Sequence, residues 1–425
     1  MIRLPVRLPE SLKGRLLATR AAGRPWGAFR RWELYREYAA RRDLYAALAD
    51  DRGLCYKESE VAGGIQERLA RRGYSPTRRV AGQVHTFAFF PSHAWHRDLL
   101  PDLHALGPVT HFDYLPLGFR ARDIFNGSRS GITQRKAMNK LILPALKRAH
   151  AIRPVDWVFV YASGLEISAT VIRRIADELG IPTVNMCFDD KHSWVGQWMG
   201  DHRSGQVDIA SAFDLSWTSA RVACEWYLAE GGRPIYMPEG FDLGKLRPMS
   251  SNPDIPVSFV GAAYGFRPEV VRFLRRHGIP VQTYGHWWPD SAWVEDPSEI
   301  ANRSRINLGM GGINFAENLT NVKARDFEVP ATAGGPYLTT FNADLAQHFV
   351  VGKEILCYQS RNELLELIRY HLKHPDESRI IAQRGRERCL REHRWLHRYL
   401  RLCGVLGILP PTDVPRSKAE GPACR

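Results

Sequence analysis

The chain has 425 residues, of which 44% are hydrophobic and 24% charged, as is typical of a folded globular protein with two domains of ordinary size. No segment approaches the roughly 18 apolar residues of a membrane span, and charges and prolines interrupt the N-terminus where a signal peptide needs an apolar run. The seven cysteines are scattered without a CxxC pair, which argues against a disulfide framework or a zinc site. We therefore predict a cytoplasmic protein.

The net charge of +14 favours an anionic partner, such as a nucleotide, a phospholipid surface or a nucleic acid. A solvated arginine-rich surface explains the charge equally well. The sequence carries no aromatic RNP segment, zinc finger or helix-turn-helix pattern, so we expect no nucleic-acid partner. Peripheral contact with an anionic membrane, at the inner membrane surface, stays open.

Residues 1–80 show no clear strand pattern and are predicted to form a basic helical extension. Aromatic and leucine side chains between Trp32 and Leu48 suggest helices, with arginines between them. An amphipathic element lying on a membrane surface fits this pattern. An ordinary helical cap on the first domain also fits, and we favour the cap.

Strands and helices are predicted to alternate through residues 81–243. Short apolar runs predict buried strands at Val84–Phe90, Pro108–Phe112, Trp157–Tyr161, Ile181–Phe188, Phe213–Thr218 and Pro234–Pro238. One helix between them has an apolar residue every four positions from Ile167 to Leu179, and Gly180 is placed to end it. This alternation predicts a parallel sheet with helices on both faces, which is a Rossmann-like domain.

A linker is predicted at Glu239–Pro256, which is rich in Gly, Pro, Ser and Asn, and a second domain at residues 244–408. Its strands are predicted at Val257–Val260, Val281–Tyr284, Arg305–Gly309, Tyr337–Thr340 and Glu354–Tyr358. Helices are predicted at Pro268–His277, around Leu364–Leu372 and at Asp376–Glu392. The predicted fold class is α/β, with two doubly wound parallel-sheet domains, a cleft between them, and a flexible tail at residues 409–425.

Ligands of such sheets bind beyond the carboxyl ends of the strands. In the second domain the first strand runs into GAAYGFR, from Gly261 through Tyr264 to Arg267, and a helix starts at Pro268. Glycines let the backbone approach a ligand closely, and the free N–H groups of a helix N-terminus favour a phosphate. Arg267 could add a charge-assisted contact.

A second candidate segment is Asn321–Thr340, in which Lys323, Arg325 and Glu328 precede the turn made by Gly334 and Gly335. A carboxylate can accept hydrogen bonds from both hydroxyls of a ribose, and cations can neutralise a diphosphate leaving group. By spacing alone, a surface salt bridge between Glu328 and one of the two cations fits better.

The stretch from the Gly261 loop through VKARDFEVPATAGGPYLT to Asn342–His393 resembles the C-terminal domain of GT-B glycosyltransferases, specifically the spore-maturation CgeB-like group. The tract from Gly164 to Pro248, with IPTVNMCFDD and MPEGFD, is also similar to that group. The resemblance implies transfer of a sugar from a nucleotide-diphosphate donor to a hydroxyl on an unknown glycan, protein or small-molecule acceptor. We expect no cofactor beyond the donor itself and no metal.

The resemblance also implies residue roles. Glu328 would bind the donor ribose, Lys323 and Arg325 would face the diphosphate, and the Gly261–Arg267 loop would line the donor pocket, so we count Gly334 and Gly335 of the same segment among the donor-binding residues. Many retaining enzymes of this fold carry another Glu eight residues before the ribose-binding one, where this sequence has Thr320. Retention and inversion therefore both stay open.

The acceptor and a general base are expected in the first domain, because an inverting transferase needs a base for the acceptor hydroxyl. His93, after the first strand, and Asp190, in FDDKH with Asp189 and His192, are predicted to be catalytic, with Glu239 beside the linker as a weaker candidate. Structural roles fit these residues as well. Two other functions stay open: a nucleotide-sugar epimerase of the same fold, and a basic anion- or nucleic-acid-binding protein with a non-catalytic transferase domain.

Overall fold

A computed structural model describes residues 23–410 except Thr77, Phe125, Asn126, Ser251, Ala292, Trp293 and Glu295. The first sheet contains β1 (Thr86–Phe89), β2 (Val109–Phe112), β3 (Trp157–Tyr161), β4 (Thr183–Cys187), β5 (Leu215–Thr218) and β6 (Pro234–Tyr236). All neighbours are parallel, in the order β2-β1-β3-β4-β5-β6. Each strand lies within or overlaps an apolar run from which it was predicted, so the sequence-based assignment of this doubly wound sheet is confirmed.

Helices cover both faces of the first sheet, and the side chains of β1 show why. Phe87 and Phe89 face one hydrophobic cluster, whereas Ala88 and Phe90 face the other, because successive side chains of a strand point to opposite faces. The helices of this part are α1 (Gly23–Asp51), α2 (Glu58–Arg71), α3 (Leu100–Leu106), α4 (Ala121–Ile124), α5 (Arg129–Ile152), α6 (Ala169–Leu179), α7 (Asp190–Ser193) and α8 (Ala223–Ala229). The long helix α5 was not among the predicted elements, since buried Arg135 and Asn139 interrupt its apolar face.

The second sheet is also parallel and has the order β13-β12-β9-β7-β8. Its strands are β7 (Val257–Val260), β8 (Val281–Tyr284), β9 (Asn307–Leu308), β12 (Tyr337–Thr340) and β13 (Leu356–Tyr358), and β10 (Gly312–Ile313) and β11 (Ala316–Thr320) form a separate antiparallel hairpin. The helices here are α9 (Arg267–Arg276), α10 (Pro297–Arg303), α11 (Arg325–Thr332), α12 (Arg361–Lys373) and α13 (Pro375–Glu392). The hairpin was not predicted.

The last helix, α14 (Trp395–Val405), packs on the first sheet although it follows the second in sequence. The backbone of Phe241 accepts from the N–H of Trp395 and donates to the carbonyl of His393, so the outgoing and returning chains run side by side. Arg398 donates to the carbonyls of Pro238 and Glu239 across this crossing. The predicted grouping of residues 244–408 thus differs from the packing, because the apolar face of α14 completes the core of the first domain.

Helix α1 contacts both domains, which agrees with the predicted helical extension where the structure describes it. Its middle packs on the hairpin, where Leu34 joins Ile313 and Leu319 in one cluster. Its C-terminal half packs on the first domain, where Tyr45 stacks on Trp226 at 5.7 Å. Between residues 23 and 410, no described helix is long and apolar enough to cross a membrane.

Candidate functional site

The strand order of the second sheet creates a crevice beside β7. The chain leaves β7 for β8 on one side and later returns to β9 on the other, so the loops at the carboxyl ends diverge at this point. Gly261 follows β7 directly with φ 153°, and Gly265 has φ 63°. A Cβ at Gly265 would lie 1.8 Å from the carbonyl oxygen of Asn314, so only glycine allows the loop to fold against the hairpin.

Arg267, the first residue of α9, is buried behind this loop with 6% of its surface exposed. Its guanidinium lies 4.1 Å from the ring centre of Tyr264 and donates one hydrogen bond, to the carbonyl of Ala262. The Nε of Arg267 is buried and has no partner. Burial lowers the pKa of Arg267 to about 10, and the neighbouring charge of Arg325 acts in the same direction.

Lys323 and Arg325 bring two more cations to the same place. The Nη1 of Arg325 lies so close to Gly261 that a Cβ there would be 2.9 Å away, and both Arg325 and Arg267 lie about 6 Å from the ring centre of Phe259. Lys323 Nζ donates to the carbonyl of Gly312. Burial, and then the charge of Arg267, lower the pKa of Lys323 to about 8.

These three cations have no ion-pair partner among the described residues. The nearby carboxylate of Asp326 is engaged elsewhere, since it accepts from the hydroxyl of Tyr337 and from the backbone N–H of Lys323. Positive charges that lie this close together and form no ion pair repel one another, and burial makes the repulsion more costly. An arrangement of this kind is suited to a ligand with several negative charges, such as a diphosphate.

Glu328 lies one turn further along α11, at the same edge of the sheet. Its Oε1 is buried, accepts no hydrogen bond, and is 3.5 Å from the ammonium of Lys245. The same ammonium bonds the carboxylate of Asp98 in the first domain. The predicted salt bridge from Glu328 to Lys323 or Arg325 does not form; its cation comes from the interdomain connection instead.

Glu239 lies between the two domains and is almost completely buried. Its carboxylate accepts a hydrogen bond from the backbone N–H of Ala324, the residue before α11. Burial raises the pKa of Glu239 well above its usual value, and the charges of Asp189, Asp326 and Glu328 add to the rise. Glu239 therefore joins the end of the first sheet to the helix that carries Arg325 and Glu328.

Gly334 and Gly335 do not reach the crevice. They precede β12 and so lie at its amino end, whereas Gly261 follows β7 at the opposite edge of the parallel sheet. A Cβ at Gly334 would lie 1.9 Å from the carbonyl oxygen of Asn302, and one at Gly335 would lie 2.1 Å from that of Arg305. Their predicted ligand role is corrected to a packing role, because close contact with α10 and the chain after it excludes a side chain.

The two predicted catalytic residues of the first domain have different surroundings. Asp190 is fully buried, and its oxygens accept from the hydroxyls of Thr218 and Tyr227. Its side chain points into the domain, so it has no surface to offer an acceptor, and its predicted catalytic role is corrected to a structural one. His93 is exposed after β1, with its ring 4.7 Å from that of His96, and no described contact connects it with the cations.

Asp189, by contrast, is exposed and faces the second domain. Its charge acts on both Lys323 and Glu239, and its Oδ1 is 3.8 Å from the Nε2 of His192. Burial lowers the pKa of His192, so this imidazole is neutral near pH 7, and its buried Nδ1 has no partner. The acidic pair was recognised in the sequence, but only the structure shows which member is exposed.

The loop after β4 is also held against the second domain. Lys191 Nζ donates to the carbonyl of Thr320 and to Asp344, and the side-chain amide of Asn321 donates to the carbonyl of Phe188. These bonds place the loop of Asp189 opposite Lys323. Asp98 and Lys245 were missed in the sequence, because a contact across domains leaves no local pattern.

Metal-binding and disulfide features can be stated for the described residues. No group of three His, Cys, Asp or Glu side chains in this part of the chain could hold a metal ion. The cysteines at positions 187, 224, 357, 389 and 403 are free, whereas Cys55 is disulfide-bonded.

One family matches part of the sequence. Residues 267–404, about a third of the chain, match the family described as glycosyl transferase-like. This segment begins at Arg267 and contains Lys323, Arg325 and Glu328. No curated protein matches the chain.

Solved structures with the same architecture match much more of the chain. Sucrose-phosphate synthase from Thermosynechococcus elongatus is 12% identical with a TM-score of 0.53, over 75% of this chain and 97% of that one. Anabaena Alr3699/HepE, in complex with UDP and glucose, is 10% identical with a TM-score of 0.50, over 77% and 100%. The N-terminal domain of Candida albicans trehalose-6-phosphate phosphatase is 7% identical with a TM-score of 0.52, over 79% and 99%.

At such low identity these neighbours establish the fold, which is GT-B, and the family match adds the class of the second domain. The narrower CgeB-like grouping stays a prediction. Residues 267–404 thus match a glycosyl transferase-like family and lie within a chain of GT-B fold.

Proposed function

We propose that this protein transfers a sugar from a nucleoside-diphosphate donor, held in the crevice beside β7, to a hydroxyl of an acceptor bound on the first domain. The observation that carries the proposal is the cluster of Arg267, Lys323 and Arg325, which forms no ion pair among the described residues. Anabaena Alr3699/HepE, which has the same fold, was solved with UDP and glucose, and this supports a donor of that chemistry.

The reaction needs positive charge where the bond between the sugar and the diphosphate breaks. As this bond lengthens, charge grows on the departing phosphate oxygen, and cations already fixed in a site of low dielectric stabilise it without reorganising. Arg325 and Lys323 would do this, and the charge of buried Arg267 acts on Lys323 beside them. This charge is supplied by side chains, and we propose that the transfer is metal-independent.

Glu328 is proposed to bind the ribose of the donor. Its buried Oε1 accepts no hydrogen bond from the described residues, and two ribose hydroxyls would supply donors. Lys245 would remain beside it. The nucleoside would then lie between the first turn of α11 and the interdomain connection, with its diphosphate toward Gly261.

The acceptor side is proposed to lie at the loop after β4. Asp189 is exposed there and faces Lys323, so it is our candidate for the base that removes the proton from the acceptor hydroxyl. His192, 3.8 Å from it, would act as a positioning residue. His93 lies at the same edge of the first sheet and would line the acceptor side.

Binding of nucleoside diphosphates tests the proposal directly. Thermal unfolding is followed with UDP, ADP, GDP and the matching monophosphates, because a ligand of the native state raises the melting temperature by mass action. We expect at least one diphosphate to stabilise the protein more than its monophosphate. Arg325→Ala should remove this difference, whereas Arg272→Ala, an exposed arginine on α9, should retain it.

Product analysis then separates transfer from other chemistry. With the donor base identified, sugar donors carrying that base are incubated with mixed acceptors, and release of the nucleoside diphosphate is measured. A sugar altered on its nucleotide without release of diphosphate would indicate an epimerase. If no nucleoside diphosphate binds while an anionic oligonucleotide does, the proposal is wrong.

A further inference from the structure

One face of helix α1 exposes three large aromatic side chains next to each other. Trp26, Phe29 and Trp32 are 44%, 49% and 54% exposed. Their rings form a continuous row, with centres 6.0 Å apart from Trp26 to Phe29 and 6.1 Å from Phe29 to Trp32. A contiguous exposed apolar surface of this kind marks an interaction site more often than scattered exposed residues do. We call these three residues the aromatic row.

The aromatic row is not a loosely packed part of the core. Successive residues of a helix turn by about 100°, so the row lies on the side opposite Gly27, Leu34 and Tyr38. Those residues face the protein: Gly27 lies against Phe315, and Leu34 packs on the hairpin β10–β11. The buried side of α1 therefore already has its packing partners in the protein, and the aromatic row faces outward.

Basic side chains flank the row. The guanidinium of Arg36 lies 4.5 Å from the ring centre of Trp32, and that of Arg30 lies 5.9 Å from the ring centre of Trp26. Arg36 can extend toward an anionic surface while its stem covers the ring of Trp32, whereas Arg30 also bonds the carboxylate of Glu33. Residues 1–36 contain nine Arg and Lys against two Glu, a net charge of +7 that is half of the +14 of the whole chain.

We propose that the aromatic row and its arginines dock the protein on the surface of an anionic lipid bilayer. Indole and phenyl rings partition into the boundary between headgroups and acyl chains, and arginines at the same depth contact lipid phosphates. Charge complementarity selects a bilayer over a second copy of this chain, since two copies would bring their basic segments together. The inference does not depend on the proposed function.

Docking in this way would orient the transferase. Arg31, which precedes Trp32 in sequence but faces the protein, donates to the carbonyl of Phe315 in the hairpin, and Tyr35 accepts from the N–H of Asn318. The hairpin leads directly into the segment of Lys323. A helix that lies on a bilayer would thus hold the hairpin, and the crevice behind it, at a fixed height above the lipid.

Vesicle flotation tests the inference on the full chain. Wild-type protein should float with vesicles that contain about 30% phosphatidylglycerol and remain in solution with pure phosphatidylcholine. The triple variant Trp26→Ser, Phe29→Ser, Trp32→Ser should bind about tenfold less. A matched control, Ile152→Ser, Trp198→Ser, Ile380→Ser, removes three exposed apolar side chains from other surfaces and should float like the wild type.

A second variant keeps the aromatic row and changes only the charge. Arg30→Gln with Arg36→Gln should weaken flotation several-fold on phosphatidylglycerol vesicles, and raised salt should do the same to the wild type. Equal flotation of the wild type on neutral vesicles, or unchanged flotation of the aromatic variant, would overturn the inference. So would a wild-type dimer that the aromatic variant converts to a monomer, because a second copy would then cover the row.

Discussion

The ammonium of Lys245 lies 3.5 Å from Oε1 of Glu328 and also bonds the carboxylate of Asp98. One lysine in the interdomain connection therefore joins the loop after β1 to the first turn of α11. The carboxylate proposed to bind the ribose is thus held in place by a residue of the connection and, through it, by the other domain. Closure of the cleft and binding of the donor would be coupled through this contact.

Glu328→Ala should weaken the binding of ribonucleoside diphosphates by about 10- to 100-fold, the usual effect of losing one or two charged hydrogen bonds. The wild type should bind a 2′,3′-dideoxynucleoside diphosphate less tightly than the ribonucleotide, by a similar factor. The variant should bind both equally. Titration calorimetry measures the affinity of the wild type and of the variant for each of the two nucleotides. A variant that still prefers the ribonucleotide would show that Glu328 does not contact the ribose.

Lys245→Met should lower the free energy of unfolding by about 1–2 kcal/mol, a value reduced for the partial exposure of the pair. The loss should be larger at pH 8 than at pH 5. Burial raises the pKa of Asp98 to about 6. At the lower pH Asp98 is therefore protonated and neutral in the folded protein, and it no longer forms an ion pair with Lys245. Urea unfolding at both pH values checks this, with Lys353→Met, an exposed lysine, as the control.

Affinity for a nucleoside diphosphate should fall as the pH rises above about 8. The pKa of Lys323 is lowered to about 8 by burial and by Arg267, so the lysine of the free protein loses its charge in this range. If the diphosphate binds only the protein in which Lys323 is charged, the affinity falls by up to tenfold for each pH unit above this pKa. Lys323→Arg should remove the slope, because arginine stays protonated, and a slope unchanged in that variant would assign the titration to another group.

Asp189 and Asp190 should behave in opposite ways. Asp189→Asn should lower turnover by at least about 100-fold with an unchanged melting temperature, as expected for loss of a general base. Asp190→Asn should destabilise the protein by about 1–3 kcal/mol and leave the turnover of the folded enzyme intact. Kinetics and thermal unfolding of the two variants decide this, and lost turnover in a stable Asp190→Asn protein would restore its predicted catalytic role.

Asp190 should also affect the pH dependence of stability. Burial raises its pKa to about 7, so between about pH 4 and 7 the folded state keeps a proton that the unfolded state releases. Stability should therefore fall as the pH rises through this range and level off above it. In Asp190→Asn the fall should be smaller, which denaturant unfolding from pH 4 to pH 8 can measure.

Chelation of divalent ions should leave transfer intact, because the described crevice offers three cations for the diphosphate and no cluster of metal ligands. Turnover measured with excess EDTA should match turnover with added magnesium within about twofold. Loss of turnover in EDTA that magnesium restores would instead assign the charge neutralisation to a metal ion.

Local pattern was enough to predict much of the architecture. The apolar runs of β1 and β7 are short and lie between helical segments, and this alternation determines a doubly wound parallel sheet. The rule that ligands bind at carboxyl ends then selected the Gly261 loop, and the resemblance selected Lys323, Arg325 and Glu328. By their spacing alone, Lys323, Arg325 and Glu328 would have been interpreted as a surface salt bridge, and it was the resemblance that indicated a donor site.

The orientation of individual side chains was decided only by the tertiary structure. Asp189 and Asp190 are neighbours in sequence, yet the turn after β4 exposes the first and buries the second against Thr218 and Tyr227. Gly334 and Gly335 look like a ligand-binding turn, but they precede a strand and pack against α10. The identity of a residue does not specify the direction in which its side chain points in the folded protein.

Sequence by itself thus determined the two parallel sheets and the glycine-containing loop after β7, because secondary structure and turns depend on neighbouring residues. Only the tertiary structure decided that α14 returns to the first domain, that Lys245 joins Asp98 to Glu328, and that the aromatic row of α1 faces outward. These contacts join residues that are far apart in the chain, and their energy comes from burial and charge in the folded state, which no local pattern contains.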